Sequence, residues 1–203
     1  MVMTAPSETR SRETTSVAIL DAAERLFRTF GYRKTTVADI ARELGMSPAN
    51  VYRVFPTKAA INEAICARLL SGLDNLLWSI ARAPEPAPDR LRRLFETLQR
   101  MTLELFFQER RMHDMVEAAM EERWPAIMEH VRSLEGAFRH IVMDGVDAGL
   151  FAPCDPEQTA KLINDTTLIF THPNVIAQCA GEVDVSDAAK TMAEFVLKAL
   201  RGN

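Results

Sequence analysis

The residues best suited to chemistry lie between positions 47 and 53, and the chemistry they suggest is nucleic-acid recognition. An asparagine amide matches the donor and acceptor on the major-groove edge of adenine, and an arginine guanidinium matches guanine or a phosphate. Asn50 and Arg53 are three residues apart, which makes them neighbours on a helix surface. The candidate surface consists of Ser47, Pro48, Ala49, Asn50, Tyr52 and Arg53.

Arrangements that would support catalysis or metal binding are weak in this sequence. His113 and Glu117 are four residues apart, as are His140 and Asp144, but each pair supplies only two ligands. No HExxH motif, cysteine–histidine cluster, phosphate-binding loop or nucleophile elbow accompanies them. We therefore expect no enzyme activity, no metal and no cofactor.

A short helix is predicted immediately before the candidate surface. Thr35 or Thr36 can cap its free N–H groups, and Asp39 follows Thr36 by three residues, as in a capping box. Apolar residues then recur at helical spacing as far as Gly45, a typical helix terminator.

A second short helix is predicted to carry the candidate surface itself. Ser47 is a good N-cap, Pro48 suits the first helical position, and Pro56 stops the helix. Val51 and Phe55 are predicted to point inward, one turn apart. Two helices joined by a three-residue turn form a helix-turn-helix, in which the second helix enters the major groove of DNA.

Helical periodicity extends through the rest of the chain, and no segment alternates as a strand would. We expect an all-α fold with about nine helices. Besides the two short helices, they should cover residues 15–30, 57–82, 89–111, 113–123, 125–149, 156–171 and 186–200. The predicted organisation is a disordered arm at 1–11, a helix-turn-helix DNA-binding domain at 12–72 and a helical domain at 73–203.

The distribution of charge agrees with this organisation better than the net charge of −4 does. The first 60 residues contain nine Lys/Arg and six Asp/Glu, whereas the remainder contains 15 Lys/Arg and 22 Asp/Glu. A mildly basic segment before an acidic body suits a small DNA-binding module attached to a larger domain. Arg10 and Arg12 are available to follow a phosphate backbone.

The sequence predicts a cytoplasmic protein without disulfides. Its three cysteines, Cys66, Cys154 and Cys179, are widely spaced. The favoured interpretation is that they are small buried residues. The N-terminus has no signal-peptide core, and no apolar run is long enough to span a membrane.

The N-terminal third of the chain resembles the DNA-binding domain of tetracycline-repressor-type (TetR family) regulators. The resemblance covers residues 12–72. The matching residues are Ala22, Ala23, Leu26, Phe27, Gly31, Tyr32, Thr35, Thr36, Val37, Asp39, Ile40, Ala41, Gly45, Ser47, Tyr52, Phe55 and Lys58. The rest of the chain has the length and helical pattern expected of that family's ligand-binding and dimerisation domain.

The resemblance implies a homodimeric repressor that binds a palindromic operator and is released by a small molecule. By the same resemblance, Thr36, Tyr52 and Lys58 would contact phosphates, while the second short helix would read bases. Tyr52 and Lys58 could instead be structural, and Arg53 could be a solvated surface residue. Val54 departs from the family pattern, in which histidine is common at this position, and one phosphate contact is thereby in doubt.

The C-terminal region contains many methionine and aromatic side chains, which suit an adaptable apolar pocket or an ordinary core. The candidate pocket residues are Phe106, Met112, His113, Met115, Trp124, Met128, Phe138, Met143, Phe170 and His172. By resemblance, the last two long helices form a dimer interface, although the same residues could pack within one subunit. The candidate interface residues are Leu162, Thr166, Ile169, Met192, Phe195, Val196 and Ala199.

The expected partners are double-stranded operator DNA, a second copy of the chain and an unidentified, largely apolar effector, with no membrane partner. Two alternatives remain at the level of sequence. One is an activator of the same fold. The other is a helical binding module that has lost DNA binding, which only the acidic net charge favours.

Overall fold

The computed structural model describes residues 6–104, 125–172, 175 and 187–201, with side chains from residue 12 onward. Within these residues the fold is all-α, as the sequence predicts, and it contains eight helices and no strand. The helices are α1 (Pro6–Phe30), α2 (Val37–Glu43), α3 (Pro48–Val54), α4 (Lys58–Ala81), α5 (Ala87–Leu103), α6 (Pro125–Asp147), α7 (Pro156–Thr171) and α8 (Ala188–Leu200). The helix predicted at 113–123 lies outside the described residues.

The chain divides into two compact units, and the division within α4 falls between Leu69 and Leu70. Among the described residues, the first unit comprises 6–69 and 125–126, and the second comprises 70–104, 127–172, 175 and 187–201. In the part of the chain that the structure describes, no helix is both long and apolar enough to span a membrane.

Helix α1 begins at Pro6, so the predicted start near Thr15 and the predicted disorder of residues 6–11 are both wrong. Proline is well suited to the first turn of a helix, and several of the residues that follow it are good helix formers. Because this stretch is polar on every side, it carries no apolar stripe, and periodicity could not detect it. The helix ends at Phe30, and the next residue, Gly31, has a φ of 92°, which lies in the left-handed region.

In the first unit, α1, α2 and α3 pack around one small core with the beginning of α4. Fully buried side chains come from each helix, including Phe27, Ile40, Val51 and Ile61. At the edge of this core, Arg68 of α4 donates hydrogen bonds to Asp21, at 2.6 Å, and to Glu24, both on α1. These ion pairs fasten α4 to α1.

The second unit contains a larger core formed by α5–α8 and the C-terminal part of α4. Three phenylalanines lie at its centre: the ring of Phe95 is 5.6 Å from that of Phe138 and 5.9 Å from that of Phe170. Each of the three is at most 1% exposed. At the edge of this core, the indole of Trp78 donates a hydrogen bond to the Ser133 hydroxyl at 3.0 Å.

The connection between α4 and α5 is held by a buried arginine. Arg90 donates to the carbonyl of Ala81, the last residue of α4, and to the carboxylate of Asp144 on α6 at 2.8 Å. Its side chain is only 7% exposed. Because a buried guanidinium is costly without partners, these contacts fix the helix start that follows the proline-rich segment.

Candidate nucleic-acid interface

Helix α3 has one buried residue and an otherwise open surface. Val51 is fully buried and anchors the helix against α1 and α2. The six predicted surface residues, Ser47, Pro48, Ala49, Asn50, Tyr52 and Arg53, are all exposed. The structure therefore places these residues together on one accessible face.

The turn between α2 and α3 is built from local hydrogen bonds. Gly45 has a φ of 64°, and its N–H donates to the Arg42 carbonyl at 3.2 Å. The N–H of Met46 donates to the Ala41 carbonyl at 2.9 Å, which completes a Schellman motif. Two of the last carbonyls of α2 are thus satisfied, and the chain reverses within three residues.

The start of α3 follows the predicted capping pattern. The Ser47 hydroxyl accepts a hydrogen bond from the N–H of Asn50 at 3.3 Å, and Pro48 occupies the first turn. The cap is formed by Ser47, which belongs to the candidate surface itself (residues 47–50, 52 and 53, hereafter the reading surface). Because a serine cap contributes about 1 kcal/mol, Ser47 is needed for the helix independently of any contact with DNA.

Asn50 and Arg53 contact each other on the open face. A terminal guanidinium nitrogen of Arg53 donates to the amide oxygen of Asn50 at 3.1 Å. The oxygen keeps a second lone pair, and the amide keeps both N–H groups. Asn50 can therefore still present the acceptor and donor that match adenine.

Thr36 caps α2, but its backbone N–H is not free as the phosphate-binding hypothesis required. The N–H donates to the carboxylate of Asp39 at 2.9 Å, and the hydroxyl donates to the same carboxylate at 2.6 Å. The hydroxyl oxygen also accepts from the N–H of Asp39, which completes the predicted capping box. A phosphate at Thr36 would have to displace this carboxylate.

Asp39 is stabilised in its charged form by these contacts. The hydrogen bonds from the Thr36 hydroxyl and N–H lower the pKa of Asp39, and the neighbouring Arg42 lowers it further. The start of α2 therefore carries an ionised carboxylate, which is paired with Arg42 at 3.0 Å. This carboxylate competes with a phosphate for the N–H and hydroxyl of Thr36.

Lys58 is partly buried and has two partners within the protein. Its ammonium donates to the carbonyls of Tyr32 at 2.9 Å and Thr35 at 3.1 Å, and it lies 4.3 Å from the centre of the Tyr32 ring. Burial lowers the pKa of Lys58. Two of its three protons are thus used to hold the loop between α1 and α2, which favours the structural interpretation over the phosphate contact.

A groove beside α3 includes residues that the predicted surface did not. Arg12 and Thr15 of α1 line it together with Asn50 and Arg53 of α3, and Met46 and the half-buried Val54 complete it. The groove holds about 450 Å³. Sequence reasoning placed Arg12 at the border of a disordered arm, because the polar start of α1 has no apolar periodicity.

The candidate pocket residues that the structure describes lie in different environments. Phe138 and Phe170 are buried in the core of the second unit, whereas Met128 and Met143 are 49% and 43% exposed. The Nδ1 atom of His172 is buried and has no hydrogen-bond partner among the described residues. The other candidates, Phe106, Met112, His113, Met115 and Trp124, lie outside the described residues.

Most candidate interface residues are accessible on α7 and α8. Phe195, Leu162 and Ile169 are 66%, 59% and 41% exposed, and Ala199 is also exposed. Thr166 and Met192 are half-buried, and Met192 packs against the core.

Val196 corrects the predicted interface, since it is 6% exposed and belongs to the core of its own subunit. It shares the inner face of α8 with Ala189 and Ala193. Val196 and Phe195 are adjacent in sequence, but the Val196 side chain is buried whereas the Phe195 side chain is exposed.

Comparison with known proteins identifies both parts of the chain. A family model described as "Bacterial regulatory proteins, tetR family" matches residues 19–65, and one described as "Tetracyclin repressor-like, C-terminal domain" matches residues 87–192. The HTH-type transcriptional regulator YhgD of Bacillus subtilis (strain 168) is 27% identical over 148 residues, which cover 70% of this chain and 74% of that protein.

Solved structures show the same fold at low sequence identity. A transcriptional regulator from Cytophaga hutchinsonii superposes with a TM-score of 0.69 at 19% identity, covering 90% of this chain and 96% of the other. A TetR-family regulator from Mesorhizobium loti gives a TM-score of 0.67 at 20% identity, covering 93% and 96%.

Proposed function

The chain belongs to the tetR family of bacterial regulatory proteins, and from this premise we propose that it represses transcription as a homodimer on a palindromic operator and is released by a small, largely apolar effector. The observation that carries the proposal is the open face of α3. Val51 anchors the helix, while Asn50, Tyr52 and Arg53 extend from it without cover.

In the proposed complex, α3 lies in the major groove with its N-terminal residues towards the base edges. Asn50 reads adenine through its amide, and Pro48 and Ala49 allow the helix to approach closely. Tyr52, which is 49% exposed, reaches a phosphate through its hydroxyl. Thr36 and Lys58 act mainly by holding the ends of α2 and α4, because their polar groups are already bonded within the protein.

The exposed apolar side chains of α7 and α8 support the homodimer. Phe195, Leu162 and Ile169 form a candidate interface, and large exposed apolar groups of this kind are typical of protein contacts. A two-fold dimer presents two copies of α3, which read half-sites about 34–36 Å apart on one side of the duplex. This spacing is what makes the proposed operator palindromic.

Support for the effector comes from the methionine-rich and aromatic composition of the second unit and from His172. The buried Nδ1 atom of His172 lacks a partner among the described residues, and a polar group on a bound ligand would satisfy it. The remainder of such a ligand would be apolar, as are most of the candidate pocket residues.

Footprinting of the DNA upstream of the chain's own gene tests the proposal. We expect two protected half-sites, about one helical turn apart, that are related by a two-fold axis. Transcription from the same DNA should fall when the protein is added. Absence of any protected site would refute the proposal, and protection with increased transcription would make the protein an activator.

A further inference from the structure

The groove between α1 and α3 has the chemistry of an anion site. Arg12 lines it from α1, and Arg53 lines it from α3. The other lining residues are Thr15, Met46, Asn50 and Val54. None of its six lining residues carries a carboxylate. Its volume of about 450 Å³ falls in the range of ordinary ligand pockets, roughly 300–1,000 Å³.

The two arginines of the groove differ from others in the first unit. Arg25, Arg28, Arg42 and Arg68 each contact a carboxylate, at 2.8, 2.8, 3.0 and 2.6 Å respectively. Among the described residues, Arg12 has no such partner, and Arg53 contacts only the neutral amide of Asn50. Their charges are therefore not neutralised by described carboxylates.

The position of Arg53 along α3 also favours a contact with phosphate over a contact with a base. Arg53 lies in the last turn, whereas bases are read by residues near the N-terminus of a recognition helix. Asn50 lies one turn earlier and is bonded to Arg53 through its amide oxygen. An arginine in this position can hold a phosphate and also orient the amide that reads a base.

We propose that Arg12 and Arg53 form a clamp for one phosphate of the DNA backbone, so that Arg53 positions Asn50 rather than reading a base itself. Guanidinium groups bind phosphate oxygens in bidentate geometry, and two of them that line one groove, from α1 and from α3, suit a single phosphate. Helix α1 thereby becomes a third DNA-contacting element. This proposal rests on the proposed function, since it requires α3 to face DNA.

The test compares the wild type with Arg12→Gln, Arg53→Gln, the double variant and Asn50→Ala. The probe is a pool of duplexes of about 30 base pairs, selected by the wild-type protein from a randomised library. Binding constants are measured against salt concentration, because each neutralised phosphate contributes about 0.9 to the slope of log K against log [salt]. Arg100→Gln, on the exposed surface of α5, is the charge-matched control.

The double variant is expected to lower the slope by about 0.9, the value for one phosphate, and each single variant by no more than this. Base preference, measured by repeating the selection with each variant, should be unchanged for Arg12→Gln and altered at one base pair for Asn50→Ala. Because Arg53 positions Asn50, Arg53→Gln should weaken the preference at that same base pair and at no other. Thermal unfolding should show that each variant remains folded, because both arginines are exposed.

Three results would overturn the clamp. They are an unchanged slope in the double variant, a fall of about 1.8, which indicates two separate phosphates, or a changed base preference in Arg53→Gln at a base pair that Asn50→Ala leaves unchanged. In each of these cases the wild type still binds DNA, and the proposed function stands. If the wild type shows no salt-dependent binding to any duplex, the proposed function and the clamp both fail.

Discussion

The turn between α2 and α3 and the C-terminal end of α6 each depend on a glycine, but for different reasons. Gly45 has a φ of 64°, and a Cβ placed there would meet no atom within 4 Å. Gly145 lies inside a helix, and its Cβ would come within 2.0 Å of the Phe151 ring. The first requirement is set by the backbone, whereas the second is set by a side chain six residues away.

The same contrast between local and long-range requirements applies to the two units as a whole. The reading surface of the first unit is arranged by caps and turns whose partners lie within a few residues in sequence. The core of the second unit depends on contacts such as Phe95 with Phe138 and Trp78 with Ser133, which join distant helices. Caps and turns can be predicted from a sequence because their partners are close in sequence. Side-chain packing between helices that are far apart in sequence cannot be predicted in this way.

The largest expected effect is that of Gly145→Ala, which should lower the free energy of unfolding of the second unit by about 3 kcal/mol. The buried Phe151 ring has to move, because the new methyl group would overlap it. Urea unfolding measures the change. Gly72→Ala, on an open part of α4, is the control and should be neutral or slightly stabilising.

A double-variant cycle identifies the cause. In the Gly145→Ala background, Phe151→Leu should cost less than it does in the wild type, because the smaller side chain relieves the overlap. Equal costs in both backgrounds would contradict the steric explanation.

Phe195→Glu extends the comparison from the core of the second unit to its surface. We expect dimer dissociation to become easier by about 2 kcal/mol or more, roughly 30-fold in the dissociation constant, since a charge would enter an apolar interface. Sedimentation velocity measures the change. Leu150→Glu is the control, because Leu150 is 43% exposed but lies in the loop after α6. Equal effects of the two substitutions would argue against an interface on α8.

Lys58→Met challenges the view that the first unit is organised only by local contacts. Lys58 bonds carbonyls 26 and 23 residues earlier, at Tyr32 and Thr35. Its loss should lower the free energy of unfolding of this unit by about 1–2 kcal/mol. Lys34→Met, at an exposed position, should leave stability unchanged. Unchanged stability in Lys58→Met with a flatter salt slope for DNA binding would restore the phosphate role.

The smallest expected effect is that of Gly45→Ala, about 1 kcal/mol in the stability of the first unit, which arises from the left-handed backbone alone. Gly45→Asn should cost less, because asparagine tolerates this conformation. Thermal unfolding of the two variants measures the difference. If alanine and asparagine cost the same, the backbone explanation for Gly45 is wrong.

Helix boundaries in the first unit could be predicted wherever a cap or a stop signal was present. Thr36, Ser47, Gly45 and Pro56 led to bounds for α2 and α3 that agree with the structure to within about two residues. The start of α1 at Pro6 could not be predicted in the same way, because residues 7–12 are all polar and their sequence contains no apolar periodicity.

Side-chain roles were less predictable than helix boundaries. Lys58 was assigned to phosphate by resemblance, but its carbonyl partners lie on a loop that is close only after folding. Val196 was assigned to the dimer interface together with Met192, Phe195 and Ala199, and these four residues recur at helical spacing. Periodicity defines the faces of a helix, but it does not determine which face meets the core of its own subunit.

The sequence by itself determined the helical fold, the helix-turn-helix and the identity of its exposed residues, because caps, glycine turns and apolar periodicity act over a few residues. The tertiary structure decided which polar groups remain available. Packing brought Arg12 beside Arg53, and it placed Lys58 against distant carbonyls and Phe151 over Gly145. The physical reason is that backbone preferences are local, whereas burial and contact depend on the whole folded chain.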